Sequence, residues 1–328
     1  MSEHLIVRRR KKLRKSLVVV VAILMTLSLN AGDSKLAGDV YFDYTFEDAD
    51  KSSFNLNRAY FTFQKKVSDQ LSYKFQTDIG SGGASDFSVY LKKANVAWKS
   101  DLGKFVFGLQ GMNVFGVQES NWGYRFIDKS AIDKAKFSNS ADLGIGWEKS
   151  MGAITPSAII SNGTGYKKAE DDAYKKLSFR LLYGKAKLKQ GLNAGVIFSH
   201  EPEDFLNDSG KNEKGAAQVF AAFAGFAKGP LKAGADVGMK SSKMLTDKSA
   251  NVLSVYGSYK IREMLTAFGR FDMTDPDADT NDDAYYYMII GMDYHPSSNF
   301  YLAPNLMMKM PESGDAHSVY KLSFRFKI

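Results

Sequence analysis

Histidine beside serine could do hydrolytic chemistry, and carboxylates in series could hold a divalent cation. Outside the first 31 residues the histidines are His200, His295 and His317. A serine nucleophile needs a histidine base that is itself held by an acidic partner. His200 has acidic neighbours in "SHEPED", but successive residues of an extended chain face opposite sides, so those neighbours diverge from it. The stretch "TDPDADTNDD" offers Asp275, Asp277, Asp279, Asp282 and Asp283, oxygen ligands of the kind Ca2+ accepts. It lacks the glycine and closing glutamate of a helix–loop–helix calcium site and reads as a solvated acidic loop. Cysteine is absent, which excludes disulfides and thiolate chemistry. The expectation is a chain without catalytic residues, metal or cofactor.

What remains is the chemistry of fixed charge. The segment "NWGYRFIDKSAIDKAKF" gathers Trp122, Tyr124, Arg125, Asp128, Lys129, Asp133, Lys134 and Lys136 into one connection, about residues 112–140. A connection this long usually has a task of its own. Its "IDKSAIDKAKF" portion can form a short helix packed against a wall.

The elements that would position these charges repeat with period two. "DVYFDYTF", "QLSYKFQTDI", "GKFVFGLQ", "ADLGIGWEK", "GLNAGVIFS" and "YKLSFRFKI" alternate large apolar with polar residues, the pattern of strands with two unlike faces. From Lys35 onward no stretch shows the helical 3–4 spacing. Sixteen such segments can be drawn, from 37–46 and 54–65 through 175–187, 191–200 and 216–227 to 318–328. Each runs to roughly ten residues, the length of a tilted membrane-crossing strand. The connections alternate between tight ("SDL", "SMG", "KGP") and long and polar ("EDADKSS", "EPEDFLNDSGKNEKG", "TDPDADTNDD"). Aromatic residues such as Tyr73, Trp98, Phe105, Trp147, Tyr183 and Tyr294 lie near the tight ones, where a membrane-interface girdle belongs.

The N-terminus reads differently. Seven basic residues between Arg8 and Lys15 precede the apolar run "LVVVVAILMTLSL", which is shorter than the roughly 20 residues a spanning helix needs. This is the pattern of a secretory signal peptide over residues 1–31, with a retained membrane anchor as the alternative. Those residues hold seven of the 44 Lys+Arg and one of the 36 Asp+Glu, so the rest carries 37 against 35, a net charge of +2. A nucleic-acid partner inferred from the basic whole-chain balance would be misplaced.

Together these features predict an all-β fold, a transmembrane antiparallel β-barrel of about 16 strands over residues 32–328, in the outer membrane of a Gram-negative-type bacterium. The final segment must then pair with the first, because an open strand edge in hydrocarbon costs several kcal/mol per unpaired group. Its face of Tyr320, Leu322, Phe324, Phe326 and Ile328 would meet lipid. Lys321, Ser323, Arg325 and Lys327 would face the lumen. This stripe also resembles the C-terminal signal read by the barrel assembly machinery. By the same parity the lumen wall carries Arg58, Lys74, Lys104, Arg180, Arg270 and Arg325, with Lys232, Lys309 and Lys321. The acidic residues on that face are Asp78, Asp142, Glu148, Asp236, Asp272 and Asp293. Basic residues outnumber acidic ones, so a mild anion preference follows. No unbroken ladder of arginines emerges along one wall, and a mixed-charge general diffusion pore stays open beside phosphate uptake.

Between Phe54 and Gly144, "FNLNRAYFTFQKKVSDQLSYKFQTDIG", "LKKANVAWKSDLGKFVFGLQGM" and "WGYRFIDKSAIDKAKFSNSADLGIG" resemble the phosphate-selective porin-like family of bacterial outer-membrane porins. The resemblance implies a sixteen-stranded channel, commonly a homotrimer. It also implies that the loop after the fifth strand folds inward and narrows the pore, the position independently occupied by 112–140. The expected function is passive diffusion of small hydrophilic solutes or small anions, with lipid and lipopolysaccharide as surroundings. Acidic 275–283 could bridge to lipopolysaccharide through divalent cations. The alternatives are a barrel enzyme (phospholipase or protease), a structural or adhesive barrel, and an external lid or trimer contact as the role of 112–140.

Overall fold

In the computed structural model the described residues are 33–328, apart from 48–50, 81–86, 171, 207–210 and 244–247. The signal segment expected over 1–31 lies outside the described residues. Period-two sequence gives antiparallel strands throughout. They are β1 (Ser34–Phe46), β2 (Ser52–Lys66), β3 (Leu71–Gly80), β4 (Ser88–Ser100), β5 (Gly103–Gly111), β6 (Ala141–Glu148), β7 (Ile154–Ser161) and β8 (Lys176–Tyr183). They continue as β9 (Gly191–Leu206), β10 (Asn212–Lys228), β11 (Leu231–Lys243), β12 (Lys248–Arg262), β13 (Leu265–Asp275), β14 (Tyr285–Ser297), β15 (Phe300–Pro311) and β16 (His317–Lys327). Two short helices, α1 (Gly116–Trp122) and α2 (Ala131–Lys134), lie in the β5–β6 connection.

Each strand pairs with its sequence neighbours, and β16 returns to β1, so the sheet is a closed sixteen-stranded barrel. The seam runs in unbroken register from Asp39↔Lys327 to Phe46↔Tyr320. Gly38 and Ile328 exchange backbone hydrogen bonds of 2.9 and 3.0 Å. Phe42 stacks on Phe324 at 4.4 Å on the outer side of that seam.

Burial is inverted relative to a water-soluble domain. Val196, Val255 and Ile290 are 56%, 47% and 47% exposed, whereas Asn193, Ser254 and Asp272 are at most 1% exposed. Such a distribution fits a solvent of lipid outside and polar contacts within. Trp98, Tyr183, Tyr259 and Tyr294 are exposed near the short-turn end, and Trp98 stacks on Phe105.

Three departures from the sequence reading have local causes. The segment drawn as 175–187 stops at Tyr183 because Gly184 takes φ +79°, where a Cβ would stand 2.4 Å from the Leu192 carbonyl. The polar stretch after His200 is not one long loop. β9 and β10 stay paired from Ala217↔Glu201 to Asn212↔Leu206, since a hairpin ladder continues above the lipid belt whatever the polarity of its side chains. Finally, strict alternation fails at bulges, among them Asn57, the extra residue of β2 opposite Tyr41 and Phe42, and Lys92, the extra residue of β4 opposite Gln76 and Thr77.

Candidate functional site: the lumen and its inward loop

The β5–β6 connection is held inside the barrel by apolar packing first. Val114, Phe115, Val117, Ile132 and Phe137 are buried with Leu182, Ile197, Val219, Phe223 and Val252 of the inner wall. Trp122, Tyr124, Phe126 and Ile127 are buried with Tyr41, Tyr256, Phe268, Tyr287 and Ile289. Trp122 meets Phe268 edge-on at 6.1 Å, and Tyr124 stacks on it at 4.4 Å. The loop therefore lies against β8–β10 and β12–β14 and reaches across to β1.

Polar contacts fix its register. Asn121 and Asn193 exchange amide hydrogen bonds of 2.8 and 3.0 Å. Gly225 permits that close approach, because a Cβ there would be 2.5 Å from Asn121 Nδ2. Lys232 Nζ donates to the Ser120 carbonyl at 2.6 Å. Arg270, on β13, donates through Nη1 to the Lys129 carbonyl. It also lies 2.9 Å from Asp272 and 3.4 Å from Asp128. Lys134 pairs with Asp128 at 2.6 Å and sits 3.3 Å over the Tyr287 ring. Asp128 is held below the usual carboxylate range despite burial, through Lys134 and Arg270.

The residues expected to form the constriction thus divide by role. Trp122, Tyr124, Asp128 and Lys134 face the wall and anchor the loop. Arg125, Lys129 and Asp133 face the open lumen and line a cavity of about 630 Å³ toward the long-loop end. Arg125 lies 3.1 Å from Glu119 and 3.5 Å from Asp133, and Lys129 lies 3.7 Å from Asp133. Burial pushes the Glu119 carboxyl up to about 7, with the Asp133 charge adding to the rise and Arg125 opposing it.

The expected wall residues divide in the same way. Arg58 lines the upper cavity and pairs with Asp78 at 3.1 Å. Lys74, Lys104 and Arg180 line a second cavity of about 380 Å³ toward the short-turn end. Arg270 is instead buried beneath the loop, its side chain 1% exposed. Arg325 forms a two-pronged pair with Asp39 at 2.8 and 2.7 Å, stacked over Tyr41 and Tyr301. Both lie outside the two cavities.

The sequence reading missed three groups. Lys92 and Lys93 are neighbours, yet Lys92 faces the upper cavity and Lys93 the lower. The bulge opposite β3 makes this geometry. A signal was present, since parity would have placed one lysine of "LKKANVAW" against lipid, at about 2–4 kcal/mol near the midplane. Glu119 was overlooked because nothing local marks it as Arg125's partner. The third is a second inward connection, 162–175. Asp142 accepts hydrogen bonds from the Gly163 and Gly165 amides, and Tyr166 reaches Asp78 through its hydroxyl at 2.8 Å.

The upper cavity is lined by nine basic side chains (Arg58, Lys92, Arg125, Lys129, Lys136, Lys167, Lys168, Lys176 and Lys240) against Asp133, Glu201 and Glu203. The lower has Lys74, Lys93, Lys104 and Arg180 against Glu148. Among the described residues no histidine lines either cavity. His200 contacts Gln218, His295 faces Asp293 and His317 faces Glu47. Among the described residues no group of three or more His, Cys, Asp or Glu is arranged to hold a metal ion.

A closed sixteen-stranded barrel with an apolar belt and an inward loop after its fifth strand is a known architecture. This is the porin fold. Solved structures similar to the chain include a loop-deletion form of OmpT, an outer membrane protein of Vibrio cholerae, at 12% identity and TM-score 0.69 over 90% of this chain and 99% of that one. OmpT is also solved in a trimer form. An anion-selective porin from Comamonas acidovorans matches at 12% identity and TM-score 0.65, covering 90% and 99%. The outer membrane channel DcaP of Acinetobacter baumannii matches at 16% and 0.63, covering 90% and 97%. No protein-family model and no curated protein matches the chain by sequence. By fold the chain is similar to these outer-membrane barrels.

Proposed function

We propose that the chain is a homotrimeric outer-membrane porin through which small hydrophilic solutes diffuse passively, with a mild preference for anions, phosphate among them. The observation that carries the reading is the charge on the two cavities beside the loop, thirteen basic side chains against four acidic ones. In a narrow passage with low-dielectric walls, such an excess raises the local anion concentration. Asp78 and Glu119 sit directly behind the lining and offset part of the charge, which keeps the preference mild. Lys136, Lys167 and Lys168 have no carboxylate within ion-pair distance among the described residues, leaving their charge available to solutes.

In this reading residues 112–140 are the constriction. Their anchored face holds position, and Arg125 and Lys129 present charge to the opening opposite Arg58 and Lys92. Residues 1–31 are a signal peptide removed on export, and the β16 stripe addresses the chain to the barrel assembly machinery. The solved relatives named as an anion-selective porin and as a trimer support the corresponding parts.

Liposome swelling with purified, refolded protein tests the diffusion reading. Swelling rates should fall smoothly as neutral solutes grow larger, and deletion of the loop tip should raise them. Liposomes that do not swell would refute it in favour of a closed structural barrel. Hydrolysis of phospholipid or peptide that is lost on His200→Ala would refute it in favour of an enzyme.

A further inference from the structure

Beneath Arg125 two carboxyl groups converge. Its guanidinium faces Glu119 Oε1 at 3.1 Å and Asp133 Oδ2 at 3.5 Å. Neither of those oxygens receives an aligned hydrogen bond, and both are buried. Two carboxylates sharing one guanidinium in a poorly hydrated pocket repel each other, and a proton held between them relieves that repulsion. The pair lies beside the upper cavity, which Arg125, Asp133 and Lys92 line, while Lys93, next to Lys92 on β4, lines the lower.

We propose that Glu119 is the residue that makes the selectivity of this pore depend on pH: it exchanges a proton with solvent while paired to Asp133, and each loss of that proton subtracts one positive charge from the wall of the upper cavity. The inference rests on the channel reading above and deepens it. The groups facing the pair are Arg125 and Lys129 on the loop and Lys92 and Lys93 on β4, with Arg58 beyond them on β2. Arg125 and Arg58 are guanidiniums and keep their charge throughout this range, so the change falls on the carboxyl pair. Glu119 alone among them is a carboxyl raised to about 7. As pH falls through neutrality that wall gains positive charge, so the pore becomes more anion-selective in acid and less so in base.

The test is the reversal potential of planar bilayers in a KCl gradient, measured from pH 5.5 to 7.8. At low salt the anion/cation permeability ratio of the unaltered protein should rise by about two- to fivefold as pH falls, the scale of one charge acting across several ångströms of partly screened water. Glu119→Gln should hold the ratio near its acid value throughout. Asp133→Asn should keep a step but move its midpoint to lower pH, because it removes the negative charge that helps hold the Glu119 proton. A ratio that does not change with pH in the unaltered channel, or a step that persists unchanged in Glu119→Gln, overturns the proposal while leaving the porin reading intact. Absence of any conductance in the unaltered protein would instead remove the porin reading beneath it.

Discussion

Replacing Arg270 by leucine separates what anchors the loop from what merely touches it. The Arg270 side chain is 1% exposed, with Asp272 2% exposed beside it. Removing one partner of a buried ion pair costs about 3–5 kcal/mol, because the other charge is left uncompensated. Most of that cost falls on the barrel wall, where Asp272 would keep only the Ser254 hydroxyl at 2.6 Å. The loop's share is smaller. It loses the donation to the Lys129 carbonyl and the 3.4 Å approach to Asp128, while Asp128 keeps Lys134 at 2.6 Å. A hydrogen bond from a charged donor contributes about 1.5–3 kcal/mol. Against this stand the buried side chains Trp122, Tyr124, Phe126 and Ile127, at about 1.5–3 kcal/mol each. The apolar anchors win, so the loop stays docked, but its undocked fraction rises by about 10- to 100-fold. Single-channel recordings should show an unchanged main conductance with added brief, larger openings. Arg270→Met with Asp272→Asn should restore barrel stability, read by heat-modifiable electrophoretic mobility, without removing those openings. A permanently enlarged conductance would refute the ranking of anchors, and an unchanged opening frequency would refute the clamp itself.

Other expectations follow from single contacts. Lys93→Glu should lower the anion/cation permeability ratio more than Lys104→Glu, since Lys104 already pairs with Glu148 at 3.0 Å; equal effects would argue against a lumen-facing Lys93. Tyr166→Phe removes a hydrogen bond to a buried carboxylate, worth about 1.5–3 kcal/mol, and should expose the 162–175 connection to proteolysis in intact proteoliposomes. Phe324→Ala breaks the stack with Phe42 across the seam. With lipid replacing the lost surface, the cost should be only the pair term of about 0.5–1.5 kcal/mol, seen as a small fall in the unfolding midpoint in detergent.

The barrel was legible because alternation is a local property that each strand repeats. Sixteen segments, their neighbours and the pairing of the last strand with the first all follow from period two and the ban on open edges in lipid. Where the chain leaves strict alternation, the reading fails. The bulge at Lys92 turns Lys92 and Lys93 inward together, and only the adjacency of two lysines in a lipid-facing strand hints at it. The charged residues of the loop were visible as a cluster, but their division into anchors and lining was not. That division depends on partners such as Asp272, Tyr287 and Asn193, which lie from 72 (Asn121 to Asn193) to 153 (Lys134 to Tyr287) residues away in sequence and meet the loop only after closure. Arg270 illustrates the difference: parity turns it toward the interior, and the loop lies over it there.

The central claim is that solutes cross a positively lined lumen. Its most direct measurement is the reversal potential of the unaltered channel at neutral pH, compared between low and high salt. The account predicts a potential of anion-selective sign at low salt that shrinks toward zero near 1 M, where charges are screened within about 3 Å. A potential of cation-selective sign at low salt would contradict it.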